Sequence, residues 1–164
     1  MSRAVLAIDQ GTTSTRAFLM GEDGRLRLLL QRHHAQHHPA PGRVEHDPLE
    51  ILADLCLCFE AAPAGVEAAG LDNQGESCLG WDAATGEPVS PVLVWQDDRT
   101  EADCARLRAD GAEALTRARA GLPVDPYFSA SKLGWILRHV PAARDLARRG
   151  GCGLALRMPI SATV

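Results

Sequence analysis

The first twenty residues constrain the fold of this chain more than any other stretch. An apolar run from Ala4 to Ile8 ends on Asp9, and a second apolar run extends from Ala17 to Met20. Two short apolar runs on either side of a tight polar turn predict a β-hairpin. The chain is therefore expected to begin with two antiparallel strands that are joined by a polar turn.

The turn of this hairpin carries side chains that suit a bound phosphate. Gly11 allows backbone N–H groups to approach a ligand closely, and hydroxyl and guanidinium groups can hydrogen-bond and neutralise a phosphate. The candidate phosphate ligands are Thr12, Thr13, Ser14 and Arg16. Asp9 is the candidate metal ligand, since a carboxylate can hold Mg²⁺ through water. An ordinary hairpin with a polar turn explains these residues equally well, because the spacing is not unique to phosphate sites.

The rest of the pattern predicts an α/β fold. The turn residues 21–24 separate Ala17–Met20 from a further apolar run, which predicts a second hairpin and hence a three-stranded antiparallel meander. Asp47 before Pro48 predicts a helix start. The run from Val66 to Leu71 predicts a buried strand, and Ser129 is expected to cap a later helix.

The four histidines between residues 33 and 38 offer two interpretations. A histidine-rich tract can bind a metal ion. However, side chains at adjacent positions of a strand diverge, so a solvated strand end and loop is the preferred interpretation. The histidines are His33, His34, His37 and His38.

Composition excludes several classes of function. The net charge is −4, and no basic run alternates with aromatic residues, so neither nucleic acid nor an anionic membrane is expected as a partner. No signal peptide or membrane-spanning run is apparent, which favours the cytoplasm. The five cysteines lack a metal-binding or disulfide spacing, so buried free thiols are expected.

Three stretches resemble one protein family. The run Asp9–Arg16 resembles the N-terminal phosphate loop of the FGGY carbohydrate kinases, and segments 41–48 and 125–137 are similar to its glycerol kinase members. The resemblance implies an actin-like, ribonuclease-H-like ATPase domain with a mixed sheet, an N-terminal antiparallel meander and flanking helices. It also implies ATP and Mg²⁺ as cofactors and the phosphorylation of glycerol to glycerol 3-phosphate.

The same resemblance implies a substrate site. Glu76, Trp95 and Tyr127 match the family's glutamate, tryptophan and tyrosine that contact the polyol. Gly75 stands where the family has a substrate-binding arginine, and a lost hydrogen bond to a charged group costs about 1.5–3 kcal/mol. Weaker glycerol binding, another polyol or a pentulose therefore remains open.

The resemblance covers about residues 4–150. Residues 1–150 are expected to form the family's N-terminal domain, apparently incomplete, and residues 151–164 a divergent tail. The family's catalytic aspartate lies in a later part, so a truncated fragment without turnover of its own is expected. A non-catalytic module that binds a polyol or nucleotide is the alternative. Exposed apolar surface would favour self-association, with a homo-oligomer as one expected form.

Overall fold

The structure of the chain, a computed structural model, describes residues 4–155. These residues form two compact units. The first unit contains residues 4–36 and 46–74, and the second contains residues 37–45 and 75–155. The chain thus leaves the first unit for nine residues, returns to it for one helix and one strand, and then completes the second unit.

The first unit is built on a four-stranded mixed sheet. Its strands are β1 (Ala4–Gln10), β2 (Ser14–Gly21), β3 (Leu26–His33) and β5 (Val66–Asn73), in the order β3-β2-β1-β5. β1 and β2 pair antiparallel, as do β2 and β3, whereas β5 runs parallel to β1. The predicted meander is confirmed, and the parallel strand makes the sheet mixed.

One helix covers a face of this sheet. α1 (Pro48–Glu60) begins after Asp47, whose side chain accepts a hydrogen bond from the N–H of Leu49. A carboxylate at this position satisfies one of the unpaired N–H groups of the first turn, as predicted. The buried apolar side chains of the first unit come from both elements: Leu6, Ile8, Ala17, Ile51, Leu55 and Cys58.

Val66–Leu71 forms the predicted strand, but the prediction that this strand is buried is wrong. The strand forms and extends to Asn73, but its six central residues are exposed. β5 lies at the edge of the sheet, next to β1 alone. An apolar run indicates a strand, whereas its burial depends on what packs against it, which a local pattern does not contain.

The second unit combines short strands with helices. The strands are β6 (Leu79–Asp82), β7 (Val92–Leu93) and β8 (Cys152–Ala155), with β6 and β8 antiparallel. The helices are α2 (Glu101–Ala109), α3 (Ala112–Ala120), α4 (Ser129–His139) and α5 (Pro141–Arg148). The two-residue strand β4 (Glu45–His46) lies where the chain passes back to the first unit. The core of the second unit contains Cys78, Leu93, Ile136 and Ala143.

Two general expectations can be compared with residues 4–155. The five cysteines are free thiols, as predicted, but the expected burial is wrong for Cys56, which is exposed, and for Cys152, which is partly exposed. No helix in this part of the chain is long and apolar enough to cross a membrane. The helices flank the strands of each unit, so the predicted α/β class is observed.

Candidate functional site

The tip of the first hairpin is a tight turn with a charged pair beside it. The N–H of Gly11 donates to the carbonyl of Ser14 over 3.0 Å, which closes the turn between β1 and β2. Asp9 and Arg16 are register partners on the two strands. Their side chains meet at 3.3 Å and remain 45% and 40% exposed, so both can reach a ligand.

Two side chains hold the backbone of the tip from behind. The carbonyl of Thr12 lies 3.0 Å from His34 Nε2 and accepts a hydrogen bond from Gln36 Nε2 over 3.2 Å. The peptide that follows Thr12 is trans, so the N–H of Thr13 points away from these two side chains. Thr13 is exposed, and its N–H is therefore directed to the side from which an anion can approach.

The prediction that the histidine tract is solvated is wrong for one member. His34 is only 7% exposed, and its ring meets the buried ring of His46 edge-on, with 4.8 Å between the centroids. His46 Nδ1 lies 3.4 Å from Gln74 Nε2, which is also 3.5 Å from the side-chain oxygen of Gln10. These four side chains form a polar cluster in the first unit, in which the two histidines and Gln10 are buried and Gln74 is partly buried.

Sequence reasoning missed this cluster because its members lie far apart in the chain. A buried histidine and an exposed one look alike in a tract of four, and neither contact is local. The signal that could have found it is the parallel register of β1 and β5, which places Gln10 beside Asn73, the residue before Gln74. The same register places Asp72 beside Asp9.

The predicted phosphate ligands differ in their exposure. Thr13 is exposed and Thr12 is half-buried, while Ser14 is only 2% exposed. The hydroxyl of Ser14 thus has little open surface, whereas its carbonyl closes the turn. The guanidinium of Arg16, which is 40% exposed, and the exposed residue Thr13 are better placed to meet a ligand.

In the second unit, Glu76 is bound to the start of α4. Its Oε2 accepts hydrogen bonds from the N–H of Ser129 over 2.9 Å and from the Ser129 hydroxyl over 2.8 Å. The prediction that Ser129 caps this helix is wrong: Phe128 occupies the cap position and Ser129 is the first helical residue. The distant carboxylate of Glu76 supplies the acceptor that a local cap would have supplied.

The other two predicted substrate residues lie together. The rings of Trp95 and Tyr127 meet edge-to-face, with 5.7 Å between their centroids. Tyr127 is 44% exposed, and Trp95 is half-buried. The N–H of Trp95 donates to the hydroxyl of Ser77, the residue after Glu76, over 3.0 Å. The second unit therefore brings Glu76, Trp95 and Tyr127 into one region, which we call the aromatic site.

A buried ion cluster supports the loop after Trp95. The side chain of Arg99 is 2% exposed and donates to Asp97 Oδ2 over 2.7 Å and to Glu45 Oε1 over 2.6 Å. Burial disfavours the charge of Arg99, but the hydrogen bonds and negative charges of Asp97 and Glu45 outweigh it and raise its pKa. The guanidinium also lies 4.5 Å from the centroid of the Trp135 ring, a favourable cation–π distance.

Gly75, beside Glu76, has open space around it. A Cβ atom at this position meets no atom within 4 Å among the described residues, and its φ lies outside the left-handed region. Neither steric crowding nor backbone conformation therefore requires a glycine here. The absence of a side chain is a chemical difference from the expected arginine and not a consequence of the fold.

Comparison with known proteins agrees with this architecture. The FGGY family of carbohydrate kinases, N-terminal domain, matches residues 4–155. The glycerol kinase of Trichlorobacter lovleyi is 51% identical over 153 residues, which cover 89% of this chain and 31% of that protein. The glycerol kinase of Aromatoleum aromaticum is 50% identical over the same shares. The chain thus spans about a third of the length of the curated relatives that it matches.

Solved structures give the same result. The crystal structure of Plasmodium falciparum glycerol kinase with ADP superposes with a TM-score of 0.83 at 27% identity, over 94% of this chain and 32% of that chain. A xylulose kinase from Rhodospirillum rubrum superposes with a TM-score of 0.71 at 28% identity, over 85% and 30%. These matches confirm the predicted actin-like ATPase fold. Because the family match spans all of the described residues, the chain belongs to the FGGY family of carbohydrate kinases.

Proposed function

We propose that this chain supplies the nucleotide-phosphate and polyol contacts of an ATP-dependent kinase that phosphorylates glycerol. The observation that carries the proposal is the 51% identity to a glycerol kinase, which extends over 89% of the chain. The described geometry agrees with it in each unit separately. The hairpin tip has the donors for an anion, and the aromatic site has the groups for a small polyol.

The hairpin tip suits the phosphates of MgATP. Thr13 is an exposed residue, and its N–H and the guanidinium of Arg16 are candidate donors for phosphate oxygens. Asp9 offers a half-exposed carboxylate, the ligand type that Mg²⁺ prefers. Bound Mg²⁺ would neutralise charge on the phosphates, and catalysis of phosphoryl transfer rests on such positioning and neutralisation.

The aromatic site suits a polyol. The ring faces of Trp95 and Tyr127 offer apolar surface to a carbon chain, while the Tyr127 hydroxyl can hydrogen-bond a substrate hydroxyl. Glu76 binds Ser129 through Oε2, which leaves Oε1 to accept from a second hydroxyl. An apolar surface with two polar groups orients a small polyol and thereby presents one hydroxyl to the phosphoryl donor.

Binding by this chain tests the proposal without requiring turnover. Calorimetry should detect the binding of glycerol and of MgADP. Asp9→Asn should lower the affinity for MgADP and leave the affinity for glycerol unchanged. Glu76→Gln should weaken glycerol, since it replaces a charged acceptor, and leave MgADP unaffected. Equal loss of both ligands in folded Asp9→Asn, or no binding of either ligand at millimolar concentration, would contradict the proposal.

A pentulose or another polyol is the second candidate. Gly75 favours it, because the open space beside Glu76 admits a substrate larger than one that an arginine side chain would leave room for. The similarity to xylulose kinases agrees with this alternative. Calorimetry with glycerol, xylulose and erythritol in parallel separates the candidates, and tighter binding of xylulose than of glycerol would replace glycerol as the proposed substrate.

A further inference from the structure

Two properties of Lys132 require an explanation: its residue type and its complete burial. It is the only lysine of the chain, and the other 16 of the 17 lysine and arginine residues are arginines. It lies in the first turn of α4 and has 0% exposed surface. An ammonium group is almost never fully buried unless it is paired, because its removal from water is costly. The groups around Lys132 must therefore replace its water.

The groups around the ammonium are main-chain carbonyls. Nζ donates to the carbonyls of Trp95 over 3.3 Å, Pro126 over 2.5 Å and Tyr127 over 3.0 Å. A lysine ammonium has three donors around a single atom, which matches three converging carbonyls. An arginine carries its donors on a planar fork and does not. This geometry explains why a chain rich in arginine has a lysine here.

Burial lowers the pKa of Lys132, while nearby negative groups, among them Asp97 and Glu76, act in the opposite direction. Because Lys132 has no exposed surface, it cannot touch a substrate. It acts through the residues whose carbonyls it binds. Two of these are Trp95 and Tyr127, whose rings form the edge-to-face pair of the aromatic site.

The same helical turn also fixes the third member of the site. Ser129, three residues before Lys132, binds Glu76 with both its N–H and its hydroxyl. One turn of α4 therefore holds Glu76 by its side chain and the two aromatic residues by their backbones. These three residues are separated by up to 51 positions in sequence, so local structure alone cannot keep them in register.

We propose that Lys132 is a positioning residue, which sets the spacing of Trp95 and Tyr127 by binding their carbonyls and thereby makes the aromatic site complementary to a polyol carbon chain. The proposal rests on the proposed function for its ligand, while the spacing of the two rings is a property of the free protein. The two can therefore be tested separately.

NMR of the whole 164-residue chain provides the test. Tyr127 is the only tyrosine, so tyrosine labelling gives one set of ring signals, and its contact with Trp95 gives a nuclear Overhauser effect. The variants are Lys132→Met, which keeps the length but removes the donors, and Lys132→Arg. The matched control is Arg108→Met. Arg108 donates to the carbonyl of Val124 over 2.8 Å, in the loop that also contains Pro126 and Tyr127. The control substitution therefore also removes a cation from a main-chain carbonyl, but from a different one.

Both Lys132 variants should lose the Tyr127–Trp95 contact, and both should bind glycerol about tenfold more weakly. Arg108→Met should keep the contact and the affinity of the parent chain. Retention of the contact in folded Lys132→Met, or equal loss in Arg108→Met, would overturn the proposal. Lys132→Arg that matches the parent chain would show that charge alone suffices, and would overturn the argument from three converging carbonyls.

Two further measurements keep the test decisive. If the Lys132 variants fail to fold, ¹⁵N-lysine labelling of the parent chain gives one Nζ signal, which glycerol should shift although Lys132 is buried. An unmoved Nζ signal under saturating glycerol would overturn the proposal. If the parent chain binds no polyol, the proposed function fails, and the Tyr127–Trp95 contact in Lys132→Gln, set against Arg108→Met, still decides the positioning role.

Discussion

The hairpin tip of the first unit and the aromatic site of the second unit are built in different ways. The tip is made by consecutive residues, and its charged pair of Asp9 and Arg16 is about half exposed. The aromatic site is made by Glu76, Trp95 and Tyr127, which come from three separate segments and depend on buried supporting groups.

The two regions should therefore respond differently to substitution. An exposed ion pair contributes at most about 1 kcal/mol to stability, so substitutions at the tip should affect ligand binding more than folding. A buried charge that loses its partner costs about 3–5 kcal/mol. Substitutions in the supports of the aromatic site should therefore affect folding and binding together.

The largest expected effect is the loss of stability that follows substitution of Arg99. Arg99→Met leaves the buried carboxylate of Asp97 and the partly buried carboxylate of Glu45 without their cation, and it should lower the free energy of unfolding by about 3–5 kcal/mol. Arg117→Met is the control, because Arg117 pairs with Glu113 on the helix surface at 2.8 Å. Its loss should stay below about 1 kcal/mol in urea unfolding. Equal losses in the two variants would contradict the distinction between the regions.

The next effect is a gain of affinity at Gly75. Gly75→Arg should fold normally, because a Cβ there meets no described atom within 4 Å. A guanidinium beside Glu76 should add hydrogen bonds to a polyol and tighten glycerol binding about tenfold or more. Gly75→Met tests the effect of side-chain bulk alone. Calorimetry that shows no gain for the arginine, or the same gain for the methionine, would argue against glycerol as the substrate.

A smaller effect is expected behind the hairpin tip. His34→Leu removes a hydrogen bond to the carbonyl of Thr12. The affinity for MgADP should fall by about three- to tenfold, since such a bond contributes about 0.5–1.5 kcal/mol. His33→Leu changes the exposed neighbour and should leave affinity unchanged. An identical response of the two variants in a fluorescent-nucleotide competition assay would show that the buried histidine does not position the tip.

The smallest effect is a pH dependence from Cys78. Burial raises the pKa of this thiol from 9.0 to about 12. Between pH 9 and 10 the unfolded chain releases the proton while the folded chain keeps it, so stability falls as pH rises, by about 1 kcal/mol. Lys132 acts in the opposite sense, because burial lowers its pKa and the unfolded state then binds more protons. The comparison with Cys78→Ala at each pH isolates the thiol.

The fall between pH 9 and 10 should be smaller in Cys78→Ala than in the parent chain. Urea unfolding at the two pH values measures it, and the other four cysteines are common to both chains. Identical slopes would mean that Cys78 ionises in the folded chain as it does in the unfolded one. That result would contradict its 0% exposure in the core of the second unit.

Sequence predicted the local features of this fold and missed the long-range ones. The meander and the cap of α1 by Asp47 follow from neighbouring residues, and both are confirmed. The exposure of β5, the burial of His34 and the binding of Ser129 by Glu76 depend on residues 12 or more positions away. The buried role of Lys132 belongs to the same class.

The candidate site divides in the same way. The family resemblance named the three residues of the aromatic site, but neither pattern nor spacing could show that one turn of α4 holds them. At the tip, the sequence predicted hydroxyls, backbone N–H groups and Arg16 as phosphate ligands, and of these Ser14 is nearly buried while Arg16 remains 40% exposed. The roles of these residues in binding stay predictions.

NMR of one sample, titrated with MgADP and then with glycerol, tests whether the two regions bind different ligands. MgADP is expected to move the amide signals of residues 11–16 and to leave the Tyr127 ring signals in place. Glycerol is expected to move the Tyr127 and Trp95 side-chain signals and to leave the hairpin amides in place. Glycerol shifts at the hairpin without any at Tyr127, or MgADP shifts that spare residues 11–16, would contradict the assignment of the two regions.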